Sequence, residues 1–458
     1  MGTMLLASLL GGGYEGKVYP VHLKEDQVQG LKAYRTIQDV PEIPDLVIMI
    51  LPNKVVCPMM EECGEKGIQH AIVVSGGFKE IGGIGIELEK ELAEITERYG
   101  IKILGPNCIG ISNPHHKMNP TPFPLEGPPG FIGIASQSGS FITQMINYLA
   151  RLNIGFSTGF SIGNGLNTKL VDCLTYFADC PHTKVIALYV EGIPDGEEFI
   201  KVARAVSAKK PIVAYYIGGS EAGKRAGFSH TGSMAGPDEL YDGMFRQAGI
   251  IRAHSISELF DFCWALGQLP KPRGNRVVIL SHSGGPGASA ADSCNRSGFE
   301  IAPLSETTQQ KVAEYVPHTG SFNNPIDLTF FRQPQDFFKT IPNLVLEDPE
   351  TDILMVYLLN PATMMARPMA NYGITGEEAE KQIKDIFDNN CNMFAEVMNK
   401  HDKPIVGFSF RSLDEYLERN LIARGLPIFP DPQRAAAALG ALQTYHHLRD
   451  QILADDSE

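Results

Sequence analysis

The sequence predicts an α/β protein made of three successive doubly wound layers, each a mostly parallel sheet with helices on its faces. Three observations predict it. Short β-branched runs alternate with amphipathic stretches along the chain, Gly/Ser-rich turns follow the runs, and two proline-containing breaks interrupt the alternation. At 458 residues the chain also exceeds what one hydrophobic core supports.

The elements read in order as follows. "MGTMLLASLLGGGYEGK" lacks a basic leader and reads as a helix closed by glycine, not as a signal peptide. Strands are expected at "KVYPV" (17–21), "DLVIMIL" (45–51), "HAIVVS" (70–75) and "KILG" (102–105). The stretches "VCPMMEECGEKG" and "IELEKELAEITERYG" between them have helical spacing. "NPTPFPLEGPPG" (119–130) breaks the pattern and reads as a linker. Strands resume at "FIGIAS", "KVIALYVEG" and "PIVAYYIGG", and after "LPKPRGN" (269–275) at "RVVILS", "DILMVYLL" and "KPIVGFSF". The domains expected are 1–125, 126–270 and 271–458.

Composition narrows the function. A net charge of −14 argues against a nucleic-acid partner, whose phosphates need a basic surface. It leaves small anions open, because helix N-termini hold them through backbone amides. The eight cysteines form no CxxC pair, which disfavours zinc ribbons and thioredoxin-like chemistry and fits reduced thiols in a cytoplasmic protein. No apolar run reaches the ~18 residues of a membrane span.

Five segments carry chemistry. In "ASQSGSF", Ser136, Gln137, Ser138, Gly139 and Ser140 lie between a strand and an apolar helix, the place for a phosphate or a carboxylate; the plain alternative is an N-cap and a tight turn. "LSHSGGPG" repeats this arrangement, as a second anion site or as a glycine-rich turn that merely contains His282. "LGPNCIG" puts Cys108 in a loop after a strand, either in a site or as a small buried thiol. "YVEGI" ends a buried strand on Glu191, whose carboxylate needs an arginine or an imidazole as partner. In "AGFSHTGSMAG", His230 stands among small residues; it is either incidental or a nucleophile whose pKa lies near neutrality. A carboxylate on the far ring nitrogen fixes the tautomer and stabilises charge on the ring, and the "SQSGS" turn offers an anion cradle for phosphorylating it.

Taken together, "KVYPV", "GPNCIGI", "SQSGS", "YVEGI", "SEAG…SHTGSMAG", "GGPG" and "NPIDL" resemble the α subunit of NDP-forming acyl-CoA synthetases, relatives of succinyl-CoA synthetase, over essentially the whole chain. The resemblance implies a Rossmann-like CoA-binding domain followed by two flavodoxin-like ligase domains. It implies that His230 is transiently phosphorylated, that Glu191 steadies the phosphohistidine, and that the "SQSGS" turn, with Asn164 of "SIGNGLN", binds phosphate or an acyl phosphate. Lys24, Pro52, Asn53, Ser75, Gly76, Gly77, Asn107 and Cys108 would line the CoA site. ATP/ADP and Mg²⁺ would bind an ATP-grasp β subunit, the two chains forming an α2β2 heterotetramer.

Three departures accompany the resemblance. His22-Leu23-Lys24 stand where the family has Asn-Pro-Lys, and Tyr216 replaces a lysine before "SEAG". The family's first strand and most of its glycine loop are missing, so either the start is assigned too far downstream or CoA binding is compromised. The rival functions are a CoA-sensing regulator on the same fold and a nicotinamide-dependent dehydrogenase. No intact G-x-G-x-x-G after a first strand supports the dehydrogenase.

Overall fold

The computed structural model describes residues 1–124, 127–152, 154–220, 236–329, 333–359 and 362–455. The segment 221–235, which contains His230, lies outside the described residues. By internal packing the chain divides into two units, Met1–Leu259 with the chain end from Gln451, and Phe260–Asp450.

The first unit holds two parallel layers. Val47–Met49, His70–Val73 and Lys102–Leu104 pair in that order, every pair parallel. Helices Asn53–Lys66 and Ile84–Tyr99 supply the crossovers and bury Val56, Met60, Leu92 and Ile95 against Met49, Val73 and Ile103. Both helices stop at left-handed glycines, Gly67 (φ 89°) and Gly100 (φ 69°), a conformation that carries no Cβ penalty only in glycine.

The second layer runs Ile251–Ala253, Ile212–Tyr216, Val185–Val190, Ile132–Ser136, Phe156–Ser161 and Gly110–Ser112 across its sheet. The last strand is antiparallel, with Gly110 opposite Ser161, and carries the chain directly from the "GPNC" turn into this sheet. The central strands are almost wholly buried and rich in Val, Ile, Leu and Ala, as a parallel sheet covered on both faces requires.

The second unit is a parallel sheet ordered Ile326–Asp327, Val277–Ser281, Ile353–Tyr357, Ile405–Phe408, Ile428–Phe429. The fold is thus the expected α/β architecture of parallel layers.

One expectation is corrected. "KVYPV" forms no strand: Pro20 has no N–H to donate, and only Val21 makes an isolated bridge, to Tyr34. Within the proline-rich "NPTPFPLEGPPG", Asn119 and Thr121 are buried and Asn119 Nδ2 donates to the Phe123 carbonyl at 2.7 Å, whereas residues 123, 124 and 127–129 are exposed. A hairpin that the patterning did not announce, Gln27–Val28 with Leu31–Lys32, turns on Gln29 (φ 51°) and Gly30 (φ 82°).

Candidate active site

The turn after Ile132–Ser136 is built by hydroxyls. Ser136 Oγ donates to the Ser138 carbonyl (2.7 Å) and accepts from the Ser138 amide (3.1 Å), so the chain swings directly into helix Gly139–Arg151. Ser138 is the N-cap but its side chain makes no capping bond, which leaves the first amides of the helix to another acceptor. Gly139 is required here: a Cβ would lie 2.6 Å from Ile109 Cγ1.

Gln137 is spent on its neighbours. Its Oε1 accepts from the amides of Glu191 (2.7 Å) and Gly192 (3.1 Å), and its Nε2 donates to the Gly192 carbonyl (2.8 Å). Three bonds thereby tie the turn after one strand to the turn after Val185–Val190, the turn that carries Glu191.

The first layer contributes the opposite wall. Asn107, held at φ 60° with its amide on the Ser75 carbonyl (2.9 Å), sits beside Gly76. Ser75 Oγ accepts from the Leu51 amide (3.0 Å), and Asn53 Nδ2 donates to the Gly77 carbonyl (2.7 Å), so the "ILPN" and "VSGGF" turns brace one another. Gly163, at φ 61°, passes so near the "GPN" turn that a Cβ would meet the Pro106 carbonyl at 2.3 Å.

Asn164 joins the two layers. Its Nδ2 donates to Glu80 Oε2 (2.7 Å) and Glu89 Oε2 (2.8 Å), and its carbonyl accepts from Lys79 Nζ (2.6 Å). Lys79 Nζ is also 3.3 Å from Glu89 Oε1. Burial pushes the Glu80 carboxyl up, but hydrogen bonds from Asn164 and from the Gly77 and Phe78 amides outweigh it and hold the group below its ordinary value.

These turns enclose one cavity of about 370 Å³, lined among others by Gly76, Asn107, Gln137, Gly139, Ser140, Asn164 and Glu191. Cys108 also lines it, but its thiol donates to the Val73 carbonyl (3.4 Å) and burial pushes its pKa up to about 12. Ser75, Gly77, Asn53, Ser136 and Ser138 stand behind the wall as supports. Lys24 and Pro52 are exposed and do not line the cavity.

Reading the sequence alone misses Lys79, Glu80 and Glu89. "GGFKE" offered a signal for the first two, charged residues two and three positions beyond the glycine turn; Glu89 lies inside a helix and carried none. Among the described residues, no group of three or more His, Cys, Asp or Glu could hold a metal ion, and no helix is long and apolar enough to cross a membrane.

The second unit repeats the turn with different chemistry. Ser281 Oγ donates to the Ser283 carbonyl (2.7 Å) and accepts from its amide (3.0 Å), as Ser136 does with Ser138. Asp327 lies beside the start of helix Gly284–Arg296, since a Cβ on Gly284 would lie 3.1 Å from its Oδ2. His282 is buried, its Nε2 is 2.9 Å from the Leu359 carbonyl, and burial lowers its pKa.

Family models match in three stretches: a CoA binding domain over residues 1–114, a succinyl-CoA ligase like flavodoxin domain over 129–266, and a ligase-CoA domain over 277–390. The chain is 37% identical over 432 residues to the acetate–CoA ligase [ADP-forming] II subunit alpha of Pyrococcus furiosus, covering 93% of this chain and 89% of that one. It is also 37% identical to acetate–CoA ligase [ADP-forming] I of Archaeoglobus fulgidus, covering 94% of this chain but 59% of that longer protein. Among solved structures it resembles a dinucleotide forming acetyl-coenzyme A synthetase 1 from Ca. Korarchaeum cryptofilum, in complex with phosphate and ADP. That match has a TM-score of 0.86 at 32% identity and covers 99% of this chain and 93% of the other. With a relative this similar along nearly its whole length, the chain belongs to the α-subunit family of ADP-forming acyl-CoA ligases.

Proposed function

We propose that this chain is the α subunit of a cytoplasmic ADP-forming acyl-CoA synthetase that catalyses acyl-CoA + phosphate + ADP ⇌ carboxylic acid + CoA + ATP. Phosphate attacks the thioester carbonyl and CoA leaves as thiolate, giving an acyl phosphate. An imidazole nitrogen of His230 then attacks phosphorus and the carboxylate leaves. The phosphohistidine passes its phosphoryl group to ADP on a separate ATP-grasp β subunit, which also holds Mg²⁺, in an α2β2 assembly. The "alpha" in the names of the relatives supports a second subunit.

One observation carries the reading: a single cavity brings together the uncapped N-terminus at Gly139 and Ser140, the carboxylate residue Glu191, and the Gly76 and Asn107 turns of the CoA-side layer. An anion at those amides meets the positive end of a 13-residue helix. Glu191 is the group we assign to hold the His230 ring and stabilise its positive form. CoA lies along the 53, 75–77 and 107 turns. The domains of this assignment are 1–125 for CoA, 126–270 for the phosphohistidine, and 271–458 for the third layer.

The test is ATP formation by the chain co-purified with its ATP-grasp partner, using a panel of short acyl-CoA thioesters. ATP should appear only when acyl-CoA, phosphate and ADP are all present. A complex that binds CoA tightly yet forms no ATP with any of them contradicts the proposal.

A further inference from the structure

We propose that Gln137 is a positioning residue for Glu191. The inference rests on the role assigned to Glu191 above. The Gln137 amide is engaged at both ends by the turn that carries Glu191: Oε1 accepts from the Glu191 and Gly192 amides, and Nε2 spends one of its two N–H donors on the Gly192 carbonyl. The two N–H donors onto one atom also fix which end is oxygen. With the backbone of Glu191 pinned at 2.7 Å, its Cα is held in register with the Ser138–Ser140 turn, and the carboxylate stays at the wall of the cavity.

The second unit gives independent support. At the same place in its Ser-x-Ser turn stands His282, and its Nε2 also meets the carbonyl two residues beyond the end of the neighbouring strand: Leu359 after Tyr357, as Gly192 after Val190. Two chemically different side chains do one job at this position, joining adjacent strand ends. Gln137 alone adds a grip on the amides of Glu191, which bears the carboxylate, and of Gly192 after it.

The test is a set of single-turnover phosphorylation rates for the α–β complex with γ-labelled ATP and Mg²⁺, comparing wild type, Gln137→Met, Glu191→Gln and the double variant. Thermal unfolding confirms that each variant folds, and Gln137→Asn stands in if Gln137→Met does not. Gln137→Met should slow phosphorylation roughly tenfold, as the loss of a few hydrogen bonds allows. The double variant should be no slower than Glu191→Gln alone, because both changes remove one function. In cleavage of the acyl-CoA that the complex turns over, the KM for phosphate should stay within about twofold while kcat falls. Multiplying losses in the double variant, or a raised phosphate KM at unchanged kcat, overturns the proposal. A wild-type rate for Gln137→Met beside a slow Glu191→Gln overturns the clamp alone. A wild-type rate for Glu191→Gln overturns the role of Glu191 and the clamp with it.

Discussion

Glu191 follows six strand residues, five of them buried and Tyr189 partly so, and its position shows how a costly residue betrays a site. The carboxylate at a buried strand end was legible from sequence because desolvation makes such a group rare without a purpose. Its setting was not legible, since Gln137 lies 54 positions away. Glu191→Gln keeps the shape and removes the charge. Losing one charge-assisted hydrogen bond costs about 1.5–3 kcal/mol, so phosphorylation should slow roughly 10- to 150-fold with the fold intact. Cys108 is the contrasting case. With its thiol pushed up to about 12 and donating to Val73, it should resist iodoacetamide at pH 8 in the native protein. Peptide mapping that finds Cys108 alkylated before unfolding would contradict this. Glu80 sets a pH dependence. Its native pKa is lowered, so its contribution to stability is full above the unfolded value of about 4.3 and is lost as pH falls through the native value. The difference in melting temperature between wild type and Glu80→Gln should therefore shrink below about pH 4.3, and a constant difference would contradict the assignment.

At the scale of elements, strand–turn–helix order decides where chemistry sits. The parallel strands were legible because buried runs such as "VIALYV" and "VVILS" satisfy few other structures, and their C-terminal ends fix the site edge. Gly110–Ser112 and Phe156–Ser161 were not legible: both are rich in Gly and Ser, and their pairing is set by partners far along the chain. "KVYPV" misled for the opposite reason, having strand composition but no ladder to join. The close approach of the 162–167 loop to the "GPN" turn is another tertiary fact invisible to local pattern. Gly163→Ala must both adopt φ 61° and displace the Pro106 carbonyl. It should cost about 2–4 kcal/mol of stability and weaken CoA binding, measured by urea unfolding and calorimetry. Unchanged values for both would mean that the two turns do not depend on each other.

For the molecule as a whole, the two layers of the first unit meet at one cavity, and the Lys79–Glu89–Asn164–Glu80 network crosses that junction. The arrangement fits a reaction in which a thioester from one layer meets an anion held by the other. The central claim is that the phosphoryl group then rests on His230. It is tested most directly by incubating the α–β complex with γ-labelled ATP and Mg²⁺ and mapping the acid-labile label by mass spectrometry. The account predicts one labelled peptide, containing His230, and no label in His230→Asn. Label that persists in His230→Asn, or that maps to His282, would contradict it.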